Sequence, residues 1–467
     1  MTDAYQVYST RWWVLLFFSL NNATNAFLWI CFSSIVGATC DAFAVSSAYV
    51  NGLSLAFLLL FLPGSIMTSY LMERYGLRVT MLAGSLLNCA GAWLRYAGAL
   101  AAPRSPALGF GLLMLGQCVA AVGQPCFTNL PARISADWFP AAQRDVATVV
   151  ASLSNALGVA AGSVVPTLAV ASAGDVPAFM LGQAAACTVF LLGTWYSVRA
   201  SRPPTPPSAS SAARLRKGSV EAAAAPAAVT LASTLADMRA AYWGLLQERN
   251  YLFLMAGFGV GLGLFNALLT LLTQLMAPCG YGNDFGGEAG GVLLGLGLLS
   301  AAGVGVLMER TRAYVTTLRG GILLAVLASL FFLGSLRRDA GTALMVSCGV
   351  LGACLIPLLP ISLENAAECT FPVPEEVSSG LLLIVGNYIG LALILVMQGL
   401  IPTPTPTTCA TPVTGFAGVF LGVVLLACAA LFLFQKDYRR QAAEAGEGGS
   451  SGSESLLRAD QASLEAE

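Results

Sequence analysis

The chain has 467 residues, of which 57 % are apolar and 10 % are charged, and its mean hydropathy is +0.75. A soluble protein of this length needs charge on roughly a quarter of its surface residues, so the composition excludes a large soluble enzyme and indicates an integral membrane protein. The formal net charge of −1 excludes a nucleic-acid-binding protein. Histidine is absent, which excludes histidine-based catalytic, zinc and haem-ligand sites, and we expect no cofactor and no metal.

Twelve apolar stretches, each long enough to cross a bilayer as a helix of about 20 residues, follow one another along the chain. Backbone groups at membrane depth must be satisfied locally and alternation of period two is absent, so we predict helices rather than barrel strands. The predicted spans are 12–38, 49–72, 79–100, 107–130, 145–168, 177–198, 250–277, 289–308, 315–336, 341–363, 377–401 and 413–434. The predicted fold class is an all-α membrane protein with 12 transmembrane helices.

Two blocks of six predicted spans flank a polar middle segment. The blocks are residues 12–198 and 250–434, whereas residues 199–249 are rich in Pro, Ser and Ala and contain too few large apolar residues to pack a core. We therefore predict two six-helix halves joined by a linker. Residues 1–11 precede the first half, and residues 435–467 form an acidic, Gly/Ser-rich tail that we expect to be disordered.

The distribution of Lys and Arg predicts the orientation of the spans. With the N-terminus in the cytoplasm, 19 basic residues fall on the inner side and four on the outer side, which places both termini and the linker in the cytoplasm. Asp145 and Arg95 lie near predicted helix ends, where we expect their side chains to reach the membrane interface. Since no charge is predicted at membrane depth, we expect a neutral or cationic organic substrate that moves down its own gradient.

Most of the twelve cysteines lie in apolar runs, where cysteine packs as a small apolar residue. Cys40, Cys279 and Cys409 fall in predicted outer loops. One disulfide among these three is an open alternative, which the sequence does not decide.

Both halves carry a charged turn between their second and third spans. The first turn, SYLMERYGLRVT, includes Glu73, Arg74 and Arg78, and the second, VLMERTRAY, includes Glu309 and Arg310. Together with the duplicated halves, these turns resemble those of the major facilitator superfamily. The resemblance implies the major facilitator fold, in which two halves rock about a central site and ion pairs at these turns stabilise one closed state.

Several motifs are similar to solute carrier family 49, which includes the feline leukaemia virus subgroup C receptor-related proteins. They include NAFLW at 25–29, GSLLNCAGAW at 84–93, and ENAAECTFP at 364–372 followed by SSG at 378–380. A PPTPPS sequence in the linker is similar to that of the shorter, less characterised branch of this family. The resemblance implies transport of choline and ethanolamine, and haem transport is also attributed to family members.

The resemblance also implies a substrate pocket. By position, Trp29 matches the family's first-span tryptophan and Gln124 its fourth-span glutamine, whereas Asn266 and Asn387 replace a seventh-span tyrosine and an eleventh-span glutamine. The aromatic wall for a quaternary ammonium therefore lacks one of its two principal rings, which weakens the inference of choline. The further candidate substrate-binding residues are Asn25, Gln274 and Tyr388.

Each candidate also has a structural interpretation. Trp29 could pack between helices, and Gln124 could bond carbonyls freed by a kink at Pro125. Asn266, Gln274 and Asn387 could form helix-to-helix hydrogen bonds, worth about 0.6 kcal/mol each.

A second candidate gate lies at the inner end of the tenth span. Glu364 and Glu368 are four residues apart and share one helical face. We hypothesise that they pair with Arg133 or Arg144, or with the turn arginines, and a solvated helix end is the alternative.

The sequence thus predicts a carrier, not an enzyme, that works by alternating access on choline- or ethanolamine-like amines. A haem or porphyrin transporter and a non-transporting surface receptor or sensor are the alternatives. The expected partners are a small-molecule substrate and the lipid bilayer. We expect a monomer in the plasma membrane, and an organelle membrane is the alternative location.

Overall fold

The computed structural model describes residues 6–140, 143–207, 230–311, 313–370, 373, 375–401 and 414–435. This part of the chain contains 12 helices that are long and apolar enough to cross a membrane, which confirms the predicted fold class. Most of the predicted tail and much of the linker lie outside the described residues. The spans, first to twelfth, are Thr10–Ile30, Ser47–Tyr75, Leu77–Ala101, Pro106–Thr128, Val146–Ala169, Ala173–Ser197, Arg249–Cys279, Asn283–Met308, Tyr314–Ser335, Gly341–Thr370, Val377–Gln398 and Gly415–Leu433.

The first span is shorter than predicted. It ends at Ile30, and a separate helix, Val36–Phe43, follows after a turn. The hydroxyl of Ser33 donates a hydrogen bond to the Ile30 carbonyl at 2.7 Å. Such a local bond competes with continuation of the helix, which hydropathy alone does not reveal.

Consecutive spans cross in opposite directions, so their ends lie on two sides of the molecule. We call the side with Thr10 and Leu433 the proximal side and the side with Ile30 and Gly415 the distal side. The first span packs against the fifth, and the third packs against the fourth and sixth. In the second block, the seventh span packs against the eleventh and twelfth, and the eighth packs against the tenth.

The two blocks meet along two pairs of spans, the second with the eleventh and the fifth with the eighth. In the latter pair, a Cβ atom added to Gly287 would lie 2.5 Å from Cγ2 of Thr167, and one added to Gly291 would lie 2.5 Å from Cγ2 of Val164. The two glycines therefore allow the helix backbones to approach closely near the distal side.

Three amide side chains join the blocks at the distal side, and we call them the distal amide cluster: Asn51, Gln274 and Gln398. Asn51 Nδ2 donates to Oε1 of Gln274 and to Oε1 of Gln398, both at 3.1 Å. Gln274 Nε2 donates back to Asn51 Oδ1 at 2.6 Å. The side chain of Asn51 is only 2 % exposed, so this cluster closes the distal side between the second, seventh and eleventh spans.

A helix, Leu231–Leu245, lies within the segment that the sequence predicts as a linker. A capping box between Thr230 and Ser233 begins it. Thr234 Oγ1 donates to Oε2 of Glu73 at 2.9 Å, and the helix packs against both the second and the eleventh spans. Burial of Tyr242 in this helix raises the pKa of its hydroxyl to about 12. This linker helix therefore bridges the two blocks on the proximal side.

The expectation that Arg95 reaches the membrane interface is wrong, because its side chain is 0 % exposed. Its guanidinium donates to the Leu28 carbonyl at 3.4 Å and to Sγ of Cys31 at 3.0 Å. It also lies 4.6 Å from the ring centroid of Phe32. Among the described side chains no carboxylate lies within 4.0 Å of it. The side chain of Asp145 lies outside the described residues.

The position of Arg95 at the end of the first span explains how a buried charge is tolerated. The carbonyls in the last turn of a helix carry partial negative charge, which a cation stabilises. Gln117 donates to the same Leu28 carbonyl at 3.1 Å. The third and fourth spans thus cap the first span together, one residue before Trp29.

Replacing Arg95 by alanine should destabilise the protein by about 2 to 5 kcal/mol, since it removes a long buried side chain and its hydrogen bonds to the first span. Thermal unfolding in detergent measures this effect as a lowered midpoint. The matched control is Arg104→Ala, because Arg104 lies in an exposed distal turn. Equal midpoints for the two variants would contradict the capping role.

Among the three cysteines of the predicted outer loops, Cys279 is disulfide-bonded and Cys40 is a free thiol. Cys409 lies outside the described residues. The open alternative of one disulfide is therefore realised at Cys279, the last residue of the seventh span.

Candidate functional site

A cavity of about 290 Å³ lies between the two six-helix blocks. Its wall extends from Trp29, in the last turn of the first span, to Pro131 and Leu363 at the proximal ends of the fourth and tenth spans. Because the distal amide cluster joins the blocks beyond it, the cavity is closed on the distal side. The described lining is mostly apolar, and none of its residues carries a charge.

Four of the seven candidate substrate-binding residues line this cavity. Trp29 and Gln124 approach it from the first block, and Asn266 and Asn387 approach it from the second. These four side chains come from the first, fourth, seventh and eleventh spans. The cavity therefore brings together the positions to which the resemblance assigns the substrate pocket.

The indole of Trp29 is held tightly and has an unused donor. The residue is 7 % exposed, and its Nε1 is buried without a hydrogen-bond partner among the described groups. Trp29 therefore belongs to the packed core and to the cavity wall at once.

Gln124 has an unused acceptor in the same cavity. Its Oε1 is buried without a described partner. The backbone carbonyl of Gln124 accepts from Oγ1 of Thr128 at 3.3 Å and from the N–H of Phe127 at 3.0 Å. Pro125 lacks the N–H that would reach the Ala121 carbonyl, and that carbonyl accepts instead from the backbone N–H of Gln124 at 3.1 Å. The described hydrogen bonds therefore give the Gln124 side chain no role in repairing a kink.

Asn266 and Asn387 bond each other across the cavity wall. Nδ2 of Asn266 donates to Oδ1 of Asn387 at 3.1 Å, between the seventh and eleventh spans. The residues are 5 % and 8 % exposed. The two residues therefore form a helix-to-helix hydrogen bond, which was the structural alternative to substrate binding. Both residues also line the cavity.

Asn25, Gln274 and Tyr388 lie outside the cavity lining. Asn25 is fully buried in the first block, where its Nδ2 donates to Oδ1 of Asn88 at 2.7 Å and to the Ala120 carbonyl at 3.0 Å. Gln274 belongs to the distal amide cluster. The hydroxyl of Tyr388 donates to the Leu59 carbonyl at 3.1 Å. These three side chains join helices to one another.

Two lining asparagines are absent from the sequence-based candidates. Asn22 and Asn155 line the cavity, and Asn155 Nδ2 donates to Oδ1 of Asn22 at 3.2 Å. The polar run SLNNATN in the first span is the signal that could have identified Asn22. Asn155 lies in the SLSN sequence at 152–155 of the fifth span, a shorter and weaker polar signal.

Two gating candidates of the first charged turn, Glu73 and Arg78, contact the linker segment through Thr234 and Ser201. Glu73 accepts from Thr234 of the linker helix at 2.9 Å. Nε of Arg78 donates to the Val198 carbonyl at 2.9 Å, and the guanidinium of Arg74 lies 5.4 Å from the ring centroid of Tyr75. In the second turn, Arg310 is exposed, and the side chain of Glu309 lies outside the described residues.

The hypothesised pairs of Glu364 and Glu368 with Arg133 or Arg144 stay a prediction. Nε of Arg133 lies 3.1 Å from Oδ2 of Asp137 in an ion pair within its own helix, Pro131–Trp138. Arg144 donates to the Phe139 carbonyl at 3.3 Å. Glu368 is 1 % exposed and Glu364 is half-buried.

The family model of the Major Facilitator Superfamily matches residues 18–395. Solute carrier family 49 member A3 of Xenopus tropicalis is 31 % identical over 454 residues, which cover 94 % of this chain and 90 % of that protein. Choline/ethanolamine transporter FLVCR1 of Mus musculus is 30 % identical over 450 residues, which cover 92 % of this chain and 76 % of that protein.

Two of the solved structures that share the fold are both transporters. The D-xylose-proton symporter superposes with a TM-score of 0.68 at 12 % identity, covering 92 % of this chain and 99 % of that one. A bacterial homolog of the human lysosomal transporter Spinster, in an inward-facing and unoccupied conformation, superposes with a TM-score of 0.64 at 15 % identity, covering 92 % of this chain and 98 % of that one. At these identities the likeness concerns the fold alone.

Proposed function

Because the chain belongs to the major facilitator superfamily and, within it, to solute carrier family 49, we propose that it moves choline- or ethanolamine-like amines across a membrane by alternating access. The observation that carries this proposal is the uncharged cavity between the two blocks, which Trp29, Gln124, Asn266 and Asn387 line together. The names of relatives such as choline/ethanolamine transporter FLVCR1 support the same substrate class.

The chemistry of the cavity suits a small organic cation. Aromatic faces attract cations by about 0.5 to 2 kcal/mol per ring, and rings of Trp29, Phe61, Phe258 and Phe265 line the wall. Neutral amide oxygens add dipoles without a fixed charge. The described lining residues carry no acidic or basic side chain that could couple amine movement to protons, which favours facilitative transport.

The conformation supports one half of an alternating-access cycle. The distal amide cluster closes one side, and the cavity extends toward the proximal side. With both termini in the cytoplasm, as the distribution of basic residues favours, this is the inward-facing state. In the opposite state the proximal ends approach each other, and Glu364 and Glu368 would then meet Arg133 or Arg144 as an inner gate, next to the charged turns. The cavity lies within one chain, so the cycle needs no second subunit.

Uptake into proteoliposomes tests this proposal. We expect the purified chain to transport labelled choline, ethanolamine or both down a concentration gradient, without a proton gradient, and empty liposomes are the control. Flux of haem alone would instead support a porphyrin carrier. Binding of an amine without flux would support a receptor or sensor, and either of these outcomes would overturn the proposal.

A further inference from the structure

We propose that the cavity selects primary ammonium groups over quaternary ones, so that ethanolamine-like substrates are preferred to choline. This inference rests on the proposed function, because it takes the cavity to be the amine site. A primary ammonium carries three N–H donors that need acceptor oxygens. A quaternary ammonium carries none, so it presents methyl groups to its surroundings and depends on aromatic faces.

The first unused acceptor belongs to the first block. Gln124 Oε1 is buried next to the cavity and accepts no hydrogen bond from any described group. A buried acceptor left without a donor is unfavourable, and a ligand that supplies an N–H removes that penalty. An ammonium with N–H donors therefore gains from Gln124 what a trimethylammonium cannot.

The second unused acceptor belongs to the second block. In the Asn266–Asn387 bond, one amide nitrogen and one amide oxygen are engaged, and Asn266 Oδ1 accepts nothing from the described groups. The oxygen and nitrogen positions of both amides could be exchanged, which would reverse the direction of the hydrogen bond. The pair would still have one carbonyl oxygen and one NH₂ group that are not used in that bond. The pair thus offers an acceptor to the cavity in either assignment.

The aromatic surface is the weaker attraction. Trp29 is 7 % exposed, so little of its indole face is open to a ligand. Its unpartnered Nε1 is a donor, which fits an oxygen on the substrate rather than the cation. The pocket therefore matches a small molecule with N–H donors at one end and an acceptor oxygen at the other.

Methyl groups on the nitrogen would work against this arrangement. Each one replaces a donor by an apolar group and leaves an amide oxygen buried and unpaired. Sites that hydrogen-bond a substrate N–H discriminate strongly against analogues that lack it. Apparent affinity should therefore fall with each methyl group added to ethanolamine.

The test uses the full-length chain in proteoliposomes. Uptake of labelled ethanolamine is competed with unlabelled ethanolamine, its N-methyl and N,N-dimethyl derivatives, and choline. We expect a stepwise loss of inhibition along the series, with ethanolamine at least about tenfold more potent than choline. Equal potency, or stronger inhibition by choline, would overturn the inference while leaving the proposed function intact. Absence of uptake for both amines would overturn the proposed function, and the inference with it.

Two double variants separate the lost acceptor from an added ring. Asn266→Leu alone would free Oδ1 of Asn387 in place of Oδ1 of Asn266, so both residues of the pair are changed. Asn266→Leu combined with Asn387→Leu removes the acceptor without adding an aromatic face, so ethanolamine should lose potency and choline should gain none. Asn266→Tyr combined with Asn387→Leu removes the same acceptor but adds a ring, so the preference should shift toward choline. If both double variants kept the original preference while remaining folded by thermal unfolding, the assignment of an acceptor to this pair would be wrong.

Discussion

Replacing Trp29 by alanine should reduce amine uptake by about tenfold, because it removes a buried part of the cavity wall together with the unpartnered Nε1 donor, and a loss of about 1.4 kcal/mol in binding corresponds to a factor of ten. The indole also packs in the core next to the cavity. Its removal therefore enlarges the site as well as withdrawing the ring and the Nε1 donor. Initial rates of labelled amine uptake across a concentration series measure the loss.

The controls for Trp29 distinguish the site from general damage. Trp195 of the sixth span is 64 % exposed on the outside of the helical bundle, so Trp195→Ala should leave uptake unchanged. Trp29→Phe keeps an aromatic face without the N–H and should lose less than Trp29→Ala. If Trp29→Ala transported as well as Trp195→Ala, the cavity would not be the amine site.

Replacing Asn51 by leucine should open the distal side. The change removes three hydrogen bonds between the blocks, each worth about 1 kcal/mol, and leaves the amides of Gln274 and Gln398 without these partners. A difference of this size shifts a two-state equilibrium by roughly one to two orders of magnitude. Distances between fluorophores on noncanonical residues at the exposed distal positions Tyr49 and Leu400 should lengthen in the variant.

The matched control for Asn51 is Asn250. Asn250 Nδ2 donates to the Gln435 carbonyl at 2.9 Å on the proximal side, within the second block. Asn250→Leu therefore removes an exposed side-chain hydrogen bond without changing the contact between the blocks. The distances between the distal fluorophores in this variant should match those of the wild type. An unchanged distance distribution in Asn51→Leu would show that the cluster does not hold the distal side closed.

Hydropathy predicted the 12 spans because a bilayer leaves few alternatives to apolar helices. It could not predict where helices stop for local reasons, as at Ser33, nor that Arg95 is enclosed. The position of Arg95 near the end of a predicted span suggested that its side chain reaches the membrane interface. The neighbouring first and fourth spans cover it instead, and the chain's order does not reveal that packing.

The candidate site was predictable where a position in a known family defined it, as for Trp29 and Gln124. Polarity within a span was a weaker guide, since it indicates that a residue faces protein but not which neighbour it meets. Asn25 bonds inside one block and Gln274 joins two blocks, although both are buried amides in apolar helices. Their partners lie far away in sequence, so only the assembled structure separates these roles.

The linker helix connects the two blocks physically, although the Pro-, Ser- and Ala-rich composition of the central segment does not indicate such a contact. It rests on the second and eleventh spans at once, and Thr234 ties it to Glu73. If the blocks move apart on the proximal side, the linker helix must lose its contact with one of these two spans. The segment would therefore act as a tether that limits how wide the proximal entrance can become.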